Sequence, residues 1–396
     1  MELNKGMPSV SSQTIEQNRE GDLRAMTIER AEVYVVGPDT QRHAWALGMP
    51  EQYMTNTILR LRARGGVEGI AGAPSYTDHG FDRSVAENLR HLVPKLIGVS
   101  PADREAVWRE TFTLALPYLS QTQSLIDVAL WDLAAKAAGL PLYQLLGGAR
   151  ARIPSYASTP LLDSPEAYVD FVAKLREDGY TAIKFHCWCE IGRDLSMVRA
   201  VHRQFGETGL AFMLDVEQRY DHRNAMKAGR ELSDLGYRWF EAPLVDFDLE
   251  GYRLLRRSVQ VPIIAAGNSI TDLRLIQFAA RADCWSDIRV DVMQSGGLTP
   301  ARKIMGLAAG LGMNVELQCW GYTLSQAANL HLMLAYDNCS YFEQPTPYAA
   351  FEYGSLDVIR TERDGYVYAP RSPGLGVRVD WQAIERALIL HYEVKA

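Results

Sequence analysis

The sequence predicts an α/β fold in which an eight-stranded barrel follows a smaller α+β domain. Three observations lead to this prediction: regularly spaced β-rich runs, helix-period segments between them, and no GxGxxG motif after the first run. An open sheet with nucleotide chemistry would be expected to carry that motif. The β-rich runs span residues 153–158, 182–187, 211–216, 237–242, 261–266, 287–292, 313–317 and 340–344.

The spacing of these runs matches a repeated strand–loop–helix–loop unit. Their centres lie roughly 25 to 30 residues apart, which is the length of one such unit. The intervening segments SPEAYVDFVAKLREDGY, NAMKAGRELSDLGY and TPARKIMGLAAGLG have the period of amphipathic helices. Each contains a helix stop signal near its end, at Gly179, Gly236 and Gly312. The repeat therefore favours a closed barrel over a doubly wound sheet.

The residues before 150 break this spacing and predict a separate α+β domain. The strand-like run TIERAEVYVV is followed by a hairpin-like TILRLRARGGVEGIAG and then by helical segments. We expect a flexible leader over 1–26, the α+β domain over 27–150 and the barrel over 151–370. The last segment, 371–396, lies beyond the eighth strand, and we expect it to return to the first domain.

Composition and charge exclude several classes of protein. The 396 residues carry a net charge of −7, which disfavours binding to nucleic acids or to anionic membranes. No run is long and apolar enough to span a bilayer, and the polar N-terminus lacks the apolar stretch of a signal peptide. The five cysteines show no metal-binding spacing, and their low density favours a reduced compartment. The sequence therefore predicts a cytoplasmic protein.

Oxygen-bearing side chains follow three neighbouring barrel strands, where catalytic groups of such barrels lie. Strand 3 ends in Asp215, strand 4 in Glu241, and strand 5 is followed by Asn268. Each acid could instead cap the following helix, but three polar groups in register favour a shared cation. Two carboxylates and an amide oxygen suit Mg²⁺ better than zinc.

Further polar residues lie on the remaining strands. Lys184 and His186 share one face of strand 2, because side chains alternate along a strand, and this face should point into the barrel mouth. Glu217 should point the same way as Asp215, as an acid, a substrate ligand or a solvated loop residue. Strands 6 to 8 contribute Asp291, Glu316, Gln318 and Glu343.

The order of these residues resembles the enolase superfamily. The pattern is Lys-x-His on strand 2, Asp on 3, Glu on 4, Gly and a ligand on 5, Asp five residues before GG on 6, and FEQP on 8. The run SLIDVALWDLAAKAAGLPLYQLLGG is similar to the end of the capping domain in the mandelate racemase and muconate lactonizing enzymes. The resemblance covers the chain from about residue 27.

The resemblance implies a modified TIM barrel, (β/α)7β, with an N-terminal α+β capping domain whose loops close over the substrate. It also implies a Mg²⁺ cofactor that stabilises an enediolate after a proton is removed next to a carboxylate. Lys184 beside this site should disfavour a second proton on His186 and keep the imidazole available as a base. Glu343 is implied to form a hydrogen bond with the substrate carboxylate.

Three residues depart from the family pattern. Asn268 replaces the usual third carboxylate ligand, which should weaken metal binding but strengthen enolate stabilisation. His186 stands where the mandelate racemase group often has Lys. Gln318 falls where that group pairs a strand 7 His with the strand 6 acid, here Asp291. Since glutamine cannot exchange protons near neutral pH, the second acid/base is missing.

One competent base favours dehydration over racemisation, which needs a base on each face of the carbon. We therefore expect a dehydratase of a hydroxy acid or sugar acid, with His186 as base and Glu217 as reserve acid. One alternative is an epimerase, racemase or cycloisomerase with Asp291 or Glu316 as second base. Another is a catalytically impaired paralogue that only binds ligands.

The partner expected for this protein is a small-molecule carboxylate, with neither nucleic acid nor membrane. Relatives imply a symmetric homo-oligomer. Substrate specificity should come from a loop of the first domain around Trp45, Met49 and Tyr53, and from the segment 76–79. These residues could equally form ordinary packing between the domains.

Overall fold

The N-terminal domain is built on a four-stranded antiparallel sheet. The computed structural model describes residues 26–49, 54–75, 79–115 and 120–396. The sheet has the order β13-β1-β2-β3. Its strands are β1 (Ile28–Val36), β2 (Thr55–Ala63), β3 (Glu68–Ser75) and β13 (Leu388–Lys395). Because β13 pairs with β1, with Arg30 opposite Lys395, the end of the chain lies in this first sheet.

The hairpin between β2 and β3 follows the sequence prediction. Gly65 and Gly66 form its turn with φ values of 92° and 84°, a conformation that glycine adopts without the steric cost of a Cβ atom. Four helices complete the described part of the domain: α1 (His79–Leu92), α2 (Arg104–Ala115), α3 (Ser120–Ala137) and α4 (Leu142–Leu146). Short 3₁₀ helices cover Val93–Leu96 and Pro101–Asp103.

The second domain is a (β/α)7β barrel, so the predicted fold class is confirmed. Its strands are β4 (Arg152–Ser158), β5 (Ala182–His186), β6 (Ala211–Asp215), β7 (Trp239–Glu241), β8 (Ile263–Ile264), β9 (Ile288–Val290), β10 (Val315–Leu317) and β11 (Phe342–Pro345). Its helices are α5 (Pro165–Glu177), α6 (Ile191–Phe205), α7 (His222–Asp234), α8 (Leu249–Ser258), α9 (Leu273–Arg281), α10 (Leu298–Leu311) and α11 (Thr323–Ala335).

The eighth strand is not followed by a barrel helix. After β11 the chain forms a 3₁₀ turn, Tyr348–Phe351, and then β12 (Tyr366–Tyr368), which pairs antiparallel with β4. A short helix, α12 (Trp381–Arg386), leads back to the first sheet. The parallel ladder runs β11-β4-β5-β6-β7-β8, and β9 and β10 form a second pair. The carboxyl ends of the strands therefore meet at one end of the barrel.

Local sequence signals account for the helix boundaries. The side chains of Ser164, Asp221 and Asp272 accept hydrogen bonds from the first backbone N–H groups of α5, α7 and α9. Gly179 follows α5 with a φ of 100°, and a Cβ there would lie 2.4 Å from the carbonyl oxygen of Arg363. This position therefore requires glycine for both conformation and space.

Two apolar layers support the barrel. The larger one fills the space between strands and helices, where Phe185 packs on Tyr168 and Phe212. A smaller cluster lies inside the barrel and consists of Tyr156, Ala182, Met213, Trp239 and Ile264. The inner cluster forms an apolar floor, so the polar residues at the strand ends lie above a dry base.

The loop from the first domain reaches over the barrel mouth. Trp45 and Met54 cluster with Tyr322, Ala350 and Phe351 at the carboxyl ends of the last strands. The Tyr322 hydroxyl donates to the carbonyl oxygen of Met54 at 2.7 Å. Residues 1–25, Tyr53 and 76–78 lie outside the described residues, so the predictions of a leader and of specificity contacts there stay predictions.

The prediction of a cytoplasmic protein used the cysteines and the lack of a bilayer-spanning run. All five cysteines are free in the structure. Within the described ranges, none of the helices combines the length and the apolar character that crossing a membrane requires.

Asp132 on α3 ties three parts of the chain together. Its fully buried carboxylate accepts hydrogen bonds from the backbone N–H of Ile70 at 2.8 Å and of Leu375 at 2.6 Å. It also forms an ion pair with Lys136 at 2.7 Å. The capping sheet, helix α3 and the returning C-terminal segment are therefore held by one side chain.

We predict that Asp132→Ala destabilises the protein by about 3 kcal/mol, because two buried N–H groups lose their acceptor. Urea unfolding followed by circular dichroism would measure the shift. Asp170→Ala, at an exposed position on α5, is the matched control and should change stability by less than about 0.5 kcal/mol. Equal effects of the two substitutions would contradict the role assigned to Asp132.

Candidate active site

A cavity of about 310 Å³ lies at the carboxyl ends of the barrel strands, beneath the loop of the first domain. Seven of the nine predicted site residues line it; Asp291 and Glu343 do not. The lining comprises Trp45, Met49, Lys184, His186, Asp215, Glu217, Glu241, Ala242, Ala266, Asn268, Arg289, Gln294, Gln318 and Trp320. The predicted residues on strands 2 to 5 are thus brought together as the strand-end argument required.

The ammonium group of Lys184 is shared by three carboxylates. Its Nζ lies 3.2 Å from Asp215 Oδ2, 2.8 Å from Glu241 Oε1 and 2.9 Å from Glu343 Oε1. The Lys184 side chain is 1% exposed, so these contacts replace its hydration shell. Burial opposes its charged form, but Glu241 and Glu343 outweigh burial and raise the pKa of Lys184. Lys184 is therefore a fixed positive charge.

Arg289 is a buried cation that the sequence argument missed. Its Nε lies 2.7 Å from Glu241 Oε1, and its Nη2 donates to Glu343 Oε2 at 2.9 Å. A weaker contact of 3.3 Å joins Nη1 to the Tyr156 hydroxyl. The alternation rule could have found it, since Arg289 lies two residues before Asp291 and this spacing predicts the same face of a strand.

His186 is held in one tautomer. Its Nδ1 lies 2.5 Å from the carbonyl oxygen of Thr159, which can only accept a hydrogen bond. Nδ1 must therefore carry the proton, and in the neutral imidazole Nε2 has a free lone pair. This Nε2 atom lies 3.4 Å from both Asp215 Oδ2 and Glu217 Oε1. The geometry is that of a base aimed into the cavity.

The pKa of the His186 imidazole is shifted in the direction opposite to the one expected from the sequence. Burial disfavours the protonated form of His186, and so does Lys184, as predicted. The hydrogen bond and negative charge of Asp215 act more strongly, however, so the pKa of His186 is raised above its ordinary value. In turn, Lys184 and His186 overcome the effect of burial on Asp215 and hold the pKa of this carboxyl group below its usual range. The expectation that Lys184 dominates was wrong because the hydrogen bond and the charge of Asp215 together outweigh the charge of Lys184.

Two aromatic rings enclose the imidazole of His186. The ring centroids of Trp45 and Trp320 lie 5.4 and 5.7 Å from it, and 3.9 Å from each other. Trp45 comes from the first domain and Trp320 from the loop after β10, so both domains shape the cavity. Water is therefore restricted on this side of the base.

Asn268 is placed by the loop that follows β8. Gly267 before it has a φ of 75°, and a Cβ there would lie 2.5 Å from the carbonyl oxygen of Arg289. The buried carboxylate of Asp246 accepts from the N–H groups of Ala266 at 2.9 Å and Ser269 at 3.0 Å. These contacts fix the loop on both sides of Asn268, whose exposed side chain lines the cavity.

Two sets of side chains have donors suited to a divalent ion. The predicted set, Asp215, Glu241 and Asn268, offers only oxygen atoms, which is the chemistry that Mg²⁺ prefers. A second set consists of His186, Asp215 and Glu217, whose ligand atoms lie within 4.8 Å of one another. An imidazole in that set suits a transition metal better. The oxygen donors of Asp215, Glu241 and Asn268 thus fit a hard divalent ion at the mouth of the barrel.

Asp291 and Gln318 point to different partners. The Asp291 carboxylate accepts from the Met293 N–H and from Asn329 Nδ2, both at 2.8 Å. Gln318 Nε2 donates to the carbonyl oxygen of Ala266 at 2.5 Å. Gln318, the residue after β10, lines the cavity, but it has no group that exchanges protons.

Two other acids have well-defined partners. Glu316 accepts from the backbone N–H of Ser340 at 3.1 Å and does not line the cavity, so it is badly placed as a second base. Glu343 accepts from Lys184, Arg289, the Cys319 N–H and Trp320 Nε1. Burial opposes its ionisation, but Arg289 and Lys184 keep the pKa of Glu343 well below its usual range. An ionised Glu343 can accept hydrogen bonds but cannot donate one.

We predict a pH effect on stability from Asp291, whose pKa burial raises to about 6 from 3.8. A raised pKa in the folded state favours folding below the unfolded pKa, and this contribution is lost as pH rises towards 6. The shift corresponds to about 3 kcal/mol. Wild type should therefore lose about 3 kcal/mol more stability than Asp291→Asn between about pH 3 and about pH 8, measured by urea unfolding. Parallel pH profiles for the two proteins would contradict this assignment.

Comparison with known proteins identifies relatives along most of the chain. Residues 30–147 match the family model of the mandelate racemase/muconate lactonizing enzyme N-terminal domain. L-talarate/galactarate dehydratase of Salmonella typhimurium is 28% identical over 342 residues, covering 82% of this chain and 81% of that protein. D-galactonate dehydratase of Ralstonia nicotianae is also 28% identical, covering 79% and 86%.

Solved structures agree with this assignment. A protein from Pseudovibrio sp. described as a mandelate racemase/muconate lactonizing enzyme has a TM-score of 0.90 and 40% identity, covering 94% of this chain and all of that one. D-glucarate dehydratase from Agrobacterium tumefaciens, complexed with magnesium, has a TM-score of 0.80 and 27% identity, covering 92% and 99%. Residues 167–383, more than half the chain, match the family model described as enolase C-terminal domain-like. The chain therefore belongs to the mandelate racemase/muconate lactonizing enzyme family of the enolase superfamily.

Proposed function

We propose that this protein is a Mg²⁺-dependent hydro-lyase that dehydrates a hydroxy acid of the sugar-acid class. The observation that carries the proposal is the fixed His186 tautomer, with Nε2 aimed into the cavity and Gln318 in place of a second base. Relatives named as galactarate, galactonate and glucarate dehydratases support the substrate class. The metal is supported by the oxygen donors of Asp215, Glu241 and Asn268 and by the magnesium in the glucarate dehydratase structure.

Binding of the substrate carboxylate requires positive charge at the cavity. In this proposal Asp215, Glu241 and Asn268 hold Mg²⁺, which when bound supplies charge that stabilises the enediolate form of the substrate. Lys184, which lines the cavity beside Asp215, adds a second, fixed positive charge for the substrate carboxylate. Glu343 keeps Lys184 and Arg289 in place through its ion pairs. The charges are arranged before the reaction begins, so little reorganisation is needed.

Proton removal falls to His186. Its Nε2 takes the proton from the carbon next to the carboxylate, and the electrons of that C–H bond pass into the enediolate. The Nδ1–H bond to Thr159 keeps the ring in place and stabilises the imidazolium that forms. A positioned base of this kind contributes roughly 10² to 10⁴ in rate.

Loss of the hydroxyl group completes the elimination. The enediolate electrons form the C=C bond as the β-carbon–oxygen bond breaks, and the hydroxyl leaves as water after receiving a proton. That single proton is the one His186 took, returned in a syn elimination; Glu217, 3.4 Å from His186 Nε2, is the reserve acid that would supply it instead. Burial and the charge of Asp215 raise the pKa of Glu217 above its usual value. The enol product then tautomerises to a 2-keto-3-deoxy acid.

The opposite face of the cavity disfavours racemisation. A racemase must donate a proton to the face from which none was taken, and Gln318 cannot supply one. Asp291 is buried and held by Asn329 and the Met293 N–H, away from the cavity lining. Epimerase and cycloisomerase activities therefore rank below dehydration. The alternative of a paralogue that only binds ligands also ranks lower, because Lys184, His186 and Glu217 converge in one cavity.

The size of the cavity limits the substrate. A volume of about 310 Å³ is at the low end for small-molecule sites, and Trp45 and Trp320 close one wall. A compact sugar acid fits this space, with its hydroxyl groups facing Gln294, Gln318 and Asn268.

Cytoplasmic location and a homo-oligomeric state stay predictions. The surface side chains of Phe247 and Phe278 are 70% and 64% exposed, and apolar surface of this kind is often buried between subunits.

The activity can be tested by proton NMR in D₂O across a library of hydroxy acids and sugar acids, with Mg²⁺ present. We predict a 2-keto-3-deoxy product and loss of turnover on addition of EDTA. Deuterium at the α-carbon of recovered substrate without dehydration would favour epimerisation. Turnover that persists in EDTA would contradict the metal, and no turnover across the library would favour the ligand-binding alternative.

Matched variants separate the two proton-transfer groups. His186→Asn should lower kcat by at least about 10², because no other imidazole reaches the cavity among the residues described. Glu217→Gln should slow dehydration less and leave exchange of the α-proton with D₂O intact. Retained α-proton exchange in His186→Asn would show that another group is the base.

A further inference from the structure

We propose that Arg289 is a positioning residue that weakens the affinity of the site for its divalent ion while supplying fixed positive charge for the reaction. The inference rests on the proposed metal site. Arg289 is 2% exposed, lines the floor of the cavity, and contacts both Glu241 and Glu343. A guanidinium group this close to a metal-binding carboxylate must influence how strongly that carboxylate attracts a cation.

The first step concerns the oxygen atoms of Glu241. Its Oε1 faces Arg289 Nε at 2.7 Å and Lys184 Nζ at 2.8 Å. Its Oε2 accepts from Trp239 Nε1 at 3.0 Å. Two positive charges and an indole N–H thus already contact the carboxylate that we assign to the metal. A divalent ion at Glu241 must share its negative charge with both cations.

The second step is a charge count among the buried groups. With the acids in their ionised forms, Lys184 and Arg289 contribute two positive formal charges, and the three carboxylates in contact with Lys184 (Asp215, Glu241 and Glu343) contribute three negative ones. A divalent ion therefore enters a group with a formal charge of only −1, and Asn268 adds none. Without Arg289 the same group would carry −2. Because the groups are buried, this single charge is weakly screened.

The third step is that the carboxylates do not need Arg289 to stay in place. Glu241 keeps Lys184 and the Trp239 indole as partners. Glu343 keeps Lys184, the Cys319 N–H and Trp320 Nε1. Loss of the guanidinium should therefore change the charge at the site more than its geometry.

These steps predict opposite effects on metal binding and on catalysis. Without Arg289 the ion should bind more tightly, since a neighbouring positive charge is removed. The enediolate should form more slowly, because a preorganised positive charge is missing when the second negative charge develops. An arginine that only maintained the shape of the site would have the contrary effect on the ion, since its loss would weaken binding.

The test is Mn²⁺ binding, measured by electron paramagnetic resonance of free Mn²⁺ and by calorimetry. We expect Arg289→Gln to bind Mn²⁺ about tenfold more tightly than wild type. Arg289→Lys keeps the charge and is the matched control, with affinity within about threefold of wild type. Dehydration by Arg289→Gln should show a lower kcat at saturating Mg²⁺. Unchanged or weaker Mn²⁺ binding by folded Arg289→Gln would overturn the proposal.

Arg289→Gln leaves the buried acids with Lys184 as their one cation, and this variant could fail to fold. A second variant keeps the proposal testable in that case. Arg289→Gln combined with Glu343→Gln removes one charge of each sign, and its Mn²⁺ affinity should stay within about threefold of wild type. A tenfold weaker affinity of this double variant would overturn the proposal. Absence of Mn²⁺ binding by wild type would overturn both the metal site and this inference. Metal binding without dehydration would overturn the proposed function alone.

Discussion

The buried ammonium group of Lys184 is the contact on which the site depends. It joins Asp215, Glu241 and Glu343, from three different barrel strands, within 3.2 Å. Burial disfavours the ionised form of each of these acids, and removing one partner of such a network costs about 3 to 5 kcal/mol. Arg289 closes the network between Glu241 and Glu343. The strand ends are therefore held together by charge above the apolar floor.

Much of this arrangement could be predicted from the sequence. Strand-end position and side-chain alternation were enough to bring Lys184, His186, Asp215 and Glu241 into one cavity. Side-chain alternation along β9 also predicts Arg289 in the cavity. The sequence prediction considered only Asp291 on this strand, because Asp291 was expected to pair with a histidine on strand 7. The missing eighth helix followed from family resemblance and not from the spacing of β-rich runs.

Other features depend on distances that no pattern in the sequence gives. The tautomer of His186 is set by the carbonyl oxygen of Thr159, 27 residues earlier in the chain. Its raised pKa results from a contact with Asp215 that outweighs Lys184. Asp246 fixes the loop that carries Asn268 through two backbone hydrogen bonds. These tertiary contacts decide which of several polar residues can act.

The groups that can exchange protons are unevenly distributed in the cavity, and this asymmetry links the structure to the chemistry. His186 and Glu217 lie 3.4 Å apart, whereas Gln318 is bonded to the backbone carbonyl of Ala266. The account therefore depends on His186 being a base and not a metal ligand. Anomalous diffraction from crystals soaked in Mn²⁺ tests this directly. The account predicts a peak coordinated by Asp215, Glu241 and Asn268, with His186 free of the ion. A peak among His186, Asp215 and Glu217 would contradict it.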